Sequence, residues 1–331
     1  MKAQIIRQFG GPEVFEIAVI PTPKIEPGHV LIRVDASSVN PVDTKIRSGV
    51  HHAIASAFPA VLHSDVAGVV VEVGENVKQF KLGDDIYGCA GGFKGNGGAL
   101  AEYMLVDSNL IAHKPKRLSM VEAAALPLVG ITAWEALFDR ANLREKQSLL
   151  IHGATGGVGH IAIQLAKWKG ADVYATASSA KKLLKAKELG AFGINYREKS
   201  VVDYVNQYTH GKGFDVVINT VGGPSLADSF VACAAAGIVS TISSTGTYDL
   251  TPLHKKGLTL HVIFMPGPLL TGKGRQRHGE ILAELSQLVD AGYVTPLIDS
   301  IFPFSKVADA HARLESGQAM GKIVLKQDLF D

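Results

Sequence analysis

The chain has 331 residues, 47% of them apolar, which is length for about two domains and material for a core in each. Its 33 basic and 31 acidic residues leave a formal charge of +2, too balanced to point to nucleic acid or an anionic membrane. Two cysteines, Cys89 and Cys233, make neither a ligand cluster nor a disulfide framework, as expected of a reducing compartment. The opening stretch MKAQIIRQFGGPEVFEI has no signal-peptide core, and no apolar run is long enough for a bilayer. A cytoplasmic protein without a membrane or nucleic-acid partner is expected.

The first 110 or so residues read as short strands. HVLIRVDASSV, VAGVVVEVGENV, KLGDDIYG and GALAEYMLV alternate apolar runs with Gly, Asp and Asn turns, a pattern of a mostly antiparallel β domain. From Met120 the pattern becomes helical, in MVEAAALPLVGITAWEALFDRA. Next comes SLLIHGATGGVGHIAIQLAKWKG, residues 148–170. It reads as a buried strand, a turn carrying Gly153, Gly156, Gly157 and Gly159, and an amphipathic helix through Val158, Ile161, Ala162, Leu165 and Trp168. A strand feeding a helix through glycines lets backbone N–H groups approach a pyrophosphate, whose charge the helix dipole favours.

Strands then alternate with helices: DVYATA, the helix AKKLLKAKELG, INYR, FDVVINTVGG, GIVSTISS and LTLHVIF. That alternation argues for a doubly wound parallel sheet. The basic run TGKGRQRHGE reads as a solvated loop, followed by a long helix over HGEILAELSQLVDAG. Short strands LIDSIF and GKIVL around the helix KVADAHARLESG return to the β domain. The expected fold is α/β, with a β-rich domain over 1–122 and 267–331 and a dinucleotide-binding domain over 123–266.

The second strand of the parallel sheet ends at Ser178, 178 − 159 = 19 residues beyond Gly159. NAD sites place a carboxylate there for the ribose 2′-OH. Here Ser178, Ser179, Lys181 and Lys182 stand instead, a hydroxyl and ammonium cluster that suits the 2′-phosphate of NADPH. The plainer alternative makes Ser179 a helix N-cap and the lysines a solvated face.

NPVDTKIRSG (40–49), DVAGVVVEVG (65–74), PLVGITAW, IHGATGGVG, INYRE and GKIVL, in this order, resemble the medium-chain dehydrogenase/reductase superfamily over essentially the whole chain. Within it the chain is similar to the zinc-independent, zeta-crystallin-like quinone oxidoreductases. The resemblance implies a GroES-like catalytic domain and a Rossmann domain. It implies an NADPH-dependent oxidoreductase passing hydride to a quinone or related conjugated carbonyl. The alternatives are a double-bond reductase for enals, enones or enoyl thioesters, and an NADPH-binding structural or regulatory protein with little turnover.

Several residue roles follow from the same resemblance. Thr132 and Phe264 would flank the nicotinamide, while Val221, Ser243 and Ser244 would lie at strand ends under the cofactor. Lys182 and Tyr196 would contact the 2′-phosphate, and Lys322 would reach the pyrophosphate. Asn40 and Asp43 would sit near the reacting ring, Asp43 orienting the Asn40 amide. Close relatives often carry Tyr where this chain has Lys45, which leaves the acceptor open. The zinc-ligand places of metal-dependent relatives fall at Asn40, Ser64 and Asp65, and Asn and Ser are poor zinc ligands. Without a metal, a conjugated acceptor that delocalises charge is the expected substrate. No strong acid or base stands out in the motifs, so a shallow pH profile is expected. The run LTLHVIF, matched to an edge strand that pairs with its twin in relatives, implies a homodimer.

Overall fold

Short alternating runs closed by turns become the strands of a β-rich unit. Residues 1–329 are described in this computed structural model, and the chain divides into two units, Met1–Leu128 with Pro266 onward, and Val129–Met265. The first unit opens with β1 (Lys2–Ile6), β2 (Glu16–Val19) and the long β3 (His29–Val39). Helix α1 (Pro41–Arg47) follows directly, then β4 (Ala60–Val61), β5 (Asp65–Val73), β6 (Asp85–Cys89), β7 (Tyr103–Asp107), β8 (Ile111–His113) and α2 (Met120–Ala124). β1 pairs antiparallel with β2 and β4 in a small sheet. β3 is the spine of a larger one, antiparallel to β5 and β7, with β6 and β8 continuing beyond β5. Ile32, Val34, Val66, Ile86 and Tyr87 are wholly buried along these strands, and since the successive Ile86 and Tyr87 point to opposite faces, β6 is buried on both sides.

Pro127 opens a new helix, α3 (Pro127–Trp134), rather than letting the helical run from Met120 continue. A π-type turn over Glu135–Arg140 follows, and the Ser240 hydroxyl donates to its Ala136 carbonyl. In the second unit, β9 (Ser148–His152), α4 (Gly157–Trp168), β10 (Asp172–Ala177), α5 (Ala180–Glu188), β11 (Phe192–Asn195), α6 (Val201–Thr209), β12 (Phe214–Asn219), α7 (Pro224–Ala232), β13 (Cys233–Thr241), α8 (Thr251–Lys256) and β14 (Thr259–Val262) alternate as expected. The sheet order is β11-β10-β9-β12-β13-β14, parallel throughout. This is a doubly wound, Rossmann-type sheet whose order reverses between β9 and β12.

Two expectations are corrected here. Helix α4 is not amphipathic in place: residues 158–166 are buried without a break, and Trp168 is half exposed. A helix apolar on nearly every side belongs inside the core. The basic run 271–280 is not a loop. It spans the end of α9 (Gly267–Thr271) and the start of α10 (Arg275–Asp290). Arg275 pairs with Asp107 at 2.9 Å and donates to the Leu269 carbonyl, and His278 is buried. Chain termination of the first unit comes through β15 (Ile298–Pro303), α11 (Val307–Glu315) and β16 (Lys322–Lys326). β16 pairs antiparallel with β3 and parallel with β15. Among the described residues no helix is long and apolar enough to cross a membrane.

Candidate active site

In the second unit, the candidate residues gather at the carboxyl ends of the parallel strands. β9 ends in the glycine turn. Gly153 has φ +87, a backbone only glycine adopts at little cost, and a Cβ there would strike Thr220 Oγ1 at 2.5 Å. A Cβ on Gly159 would meet the Gly153 carbonyl at 2.0 Å, so glycine here lets helix and turn pack closely. Gly156 differs. As the residue before α4, with Gly157 and Val158 next, it would bring an added Cβ only to an ordinary 3.5 Å contact. The fold does not require glycine at 156, and its bare backbone at a helix N-terminus leaves room for a phosphate.

Neighbouring strand ends lie against this turn. Asn219, buried at the end of β12, accepts from the Val221 and Gly222 N–H groups at 3.0 and 2.7 Å and donates to Ser225 and Ser229. It thereby shapes the loop that presents Val221, which is 57% exposed. Gly222 packs against Ser243, whose N–H bonds Thr241 Oγ1, and Ser244 follows in the same loop. Asn219 was not singled out in the sequence, because an Asn after an apolar strand carries no spacing signal. Phe264 stands exposed just beyond β14, whereas Thr132 is buried in α3.

Ser178 follows β10 directly. The Ser179 hydroxyl caps α5 by accepting from the Lys182 N–H, so the N-cap role is real. That role uses the Lys182 backbone and leaves its ammonium without a carboxylate partner among the described residues. The Tyr196 N–H bonds the Ala177 carbonyl at 3.4 Å, which sets Tyr196 beside Ser178, and Tyr196 is 53% exposed. Ser178, Lys182 and Tyr196 thus stand just beyond the ends of β10 and β11 and supply a hydroxyl, an ammonium and a phenol. This donor set can hold a phosphate, and with the cradle at Gly156 it fits a phosphorylated dinucleotide.

In the first unit, Asn40, Asp43, Asp65 and Lys322 form one buried cluster. Asn40 follows β3 directly and caps α1, with Asp43 one turn in. Asp43 Oδ2 accepts from the Asn40 backbone N–H at 2.7 Å. The Asn40 side chain turns instead to its neighbours: Nδ2 donates to Asp65 Oδ2 at 2.8 Å, and Oδ1 accepts from the Lys322 ammonium. Ser38 and the Leu128 N–H complete Asp65 at 2.7 and 2.8 Å. Lys322, expected at the pyrophosphate, is 3% exposed and committed to this cluster. Burial pushes the Asp43 carboxyl up to about 7, the Asn40 N–H opposing and the Asp65 charge adding to the rise. The expected absence of a buried acid is thus corrected. The apolar surroundings that raise Asp43 are assembled from strands distant in sequence.

A second buried chain runs from α11. Arg47 Nη1 donates to His311 Nδ1 at 3.1 Å, and the two histidines meet through their Nε2 atoms at 2.8 Å. His63 Nδ1 then bonds Ser37 Oγ, which donates to the Asp65 carbonyl. An always-charged arginine at one end assigns every proton in this chain, keeping both imidazoles neutral. Burial, with the Lys322 charge, lowers His63 to about 3. His63 is structural, while Lys45 is exposed on α1.

Known proteins align with both units. Residues 26–116 match the family model of the alcohol dehydrogenase GroES-like domain, and residues 189–325 that of zinc-binding dehydrogenase. The chain is 32% identical to the quinone oxidoreductase of Homo sapiens, across 98% of this chain and 97% of the relative. It is 38% identical to the 2-methylene-furan-3-one reductase of Solanum lycopersicum, across 98% and 79%. The solved quinone oxidoreductase of Escherichia coli, complexed with NADPH, superposes with a TM-score of 0.88 at 27% identity, covering 98% of this chain and all of that one.

Proposed function

The chain belongs to the quinone oxidoreductase group of the medium-chain dehydrogenase/reductase superfamily, and from that premise we propose that it reduces a quinone or related conjugated carbonyl with NADPH and without a catalytic metal. The observation that carries this reading is the pairing of an open glycine cradle with an ammonium-filled cluster at Asn40 and Asp65. Metal-dependent relatives bear ligands at these places. Here the same oxygens hold a lysine, and a divalent cation beside it would meet a fixed positive charge. The match to a zinc-binding dehydrogenase model covers residues 189–325 and so includes none of Asn40, Ser64 and Asp65.

NADPH, when bound, supplies the hydride. Gly153, Gly156, Gly157, Val158 and Gly159 form the pyrophosphate cradle. Ser178, Ser179, Lys182 and Tyr196 recognise the 2′-phosphate, and Val221, Ser243 and Ser244 support the cofactor from the strand ends. Thr132 and Phe264 position the nicotinamide. Asn40 serves the acceptor side through its amide, and Asp43, only 1% exposed, sets the start of α1 by accepting from the Asn40 backbone N–H. The acceptor takes one hydride and one proton, giving a hydroquinone from a quinone or a saturated carbonyl from an enone. Conjugation spreads the charge that a metal would otherwise stabilise.

The tomato relative favours a second reading, reduction of an enone double bond by the same site. Steady-state NADPH oxidation with a small benzoquinone, an enal and a primary aldehyde separates the readings. The conjugated acceptors should be preferred. Best turnover on the aldehyde, or none above background with either conjugated acceptor, would refute the proposed reaction. The free, buried thiols of Cys89 and Cys233 support a reducing, cytoplasmic setting.

A further inference from the structure

The Lys322 ammonium donates to Val39 O at 3.0 Å, to Asn40 Oδ1, and to Asp65 Oδ2 at 3.3 Å. An ammonium has three N–H donors, and three buried acceptors take them. The Asn40 amide is caught between a group that only donates and one that only accepts. Its Oδ1 faces the ammonium and its Nδ2 faces the Asp65 carboxylate. Rotating the amide by half a turn would set NH₂ against ammonium and carbonyl against carboxylate, two repulsive contacts in a buried site. The charge of Lys322 therefore selects one amide orientation.

We propose that Lys322 is a positioning residue for the reaction, an internal cation that fixes the Asn40 amide and offsets Asp65, and that it is not a contact of the cofactor's pyrophosphate. This rests on the reading of Asn40 as an acceptor-side residue. In the fixed orientation Oδ1 and one Nδ2–H are engaged, so Asn40 offers an acceptor its second N–H. That donor suits the carbonyl oxygen of a quinone or enone, which can only accept.

The test compares Lys322→Met with the unmodified protein in two measurements. NADPH affinity is followed by fluorescence titration, and kcat/KM for a benzoquinone is measured in a cycle with Asn40→Ala. NADPH Kd should stay within about threefold, because no donor of Lys322 is available to the cofactor. The acceptor kcat/KM should fall by about tenfold or more. In the Asn40→Ala background the further loss should be under about threefold, since two residues acting through one group are not additive. An NADPH Kd weakened about tenfold, an unchanged kcat/KM, or a full additive loss beside Asn40→Ala would each overturn the proposal. Should Lys322→Met fail to fold with Asp65 left uncompensated, the charge-balanced pair Lys322→Met with Asp65→Asn carries the same measurements. If the unmodified protein reduces no acceptor, the proposed reaction fails. The NADPH titration then still decides whether Lys322 binds the pyrophosphate.

Discussion

Asp43 shares its buried site with a second carboxylate, Asp65 on β5, and one ammonium, Lys322 on β16. Two carboxylates against one ammonium leave room for one proton. Burial lifts Asp43 from its ordinary 3.8 to about 7. Between about pH 4 and 7 the folded protein thus binds a proton that the unfolded chain does not. Its stabilising effect is complete below about pH 4 and is lost as pH rises through about 7. The buried histidines act in the opposite sense. His63 and His152 are lowered by burial to about 3 and 4, and His311 well below its ordinary 6.5. Their contribution is lost as pH falls below about 6.5, when unfolded imidazoles take protons and folded ones do not. Asp43→Asn should therefore raise the melting temperature relative to the unmodified protein more at pH 8 than at pH 5.5, the gap widening by about 2 °C or more. A gap independent of pH would show that Asp43 is ionised throughout.

Helix α1 is only seven residues long, too short to hold itself in water, and its ends are tied by different parts of the chain. At the start, Asn40 and Asp43 join the Lys322 cluster. At the end, Arg47 donates to the Gly10 carbonyl and pairs with Glu315 of α11 at 2.6 Å. In the second unit, the glycine turn shows two distinct uses of glycine. Gly159→Ala would drive its methyl into the Gly153 carbonyl and should cost several kcal/mol of stability, on the order of a severe core change. Gly156→Ala should change stability by no more than about 1 kcal/mol. Its methyl would occupy the approach to the helix N-terminus and should weaken NADPH about tenfold or more. Thermal melts and NADPH titrations on the two variants distinguish these outcomes. Equal stability losses would mean that Gly156 also serves packing.

At the scale of the molecule, β14 is an edge strand that among the described residues pairs only with β13, and Val262 and Phe264 beside that edge are 51% and 60% exposed. An open edge with apolar side chains invites pairing unless a defined partner covers it. We propose a second copy of the chain as that partner, placing two such edges across a two-fold axis. Light scattering at micromolar concentration should give about twice the 35.1 kDa of the chain. A monomer would contradict this.

The sequence by itself determined the α/β class, the order of the elements and the glycine turn. Those features rest on local periodicity and on backbone conformations that few residues adopt, as at Gly153. It also marked Ser178 and Lys182, because the spacing from glycines to the second strand end is a local measure, whereas Tyr196 came from the family resemblance alone. Only the tertiary structure decided the burial of α4 over residues 158–166 and the capture of Arg275 by Asp107. It alone brought Lys322 to Asn40 and Asp65, 282 and 257 residues away in the chain. It also set Asp43 in surroundings that hold its proton near neutral pH. Periodicity reports what a residue does for its own element. The partners and the dielectric surroundings of a charge come from strands that meet only on folding.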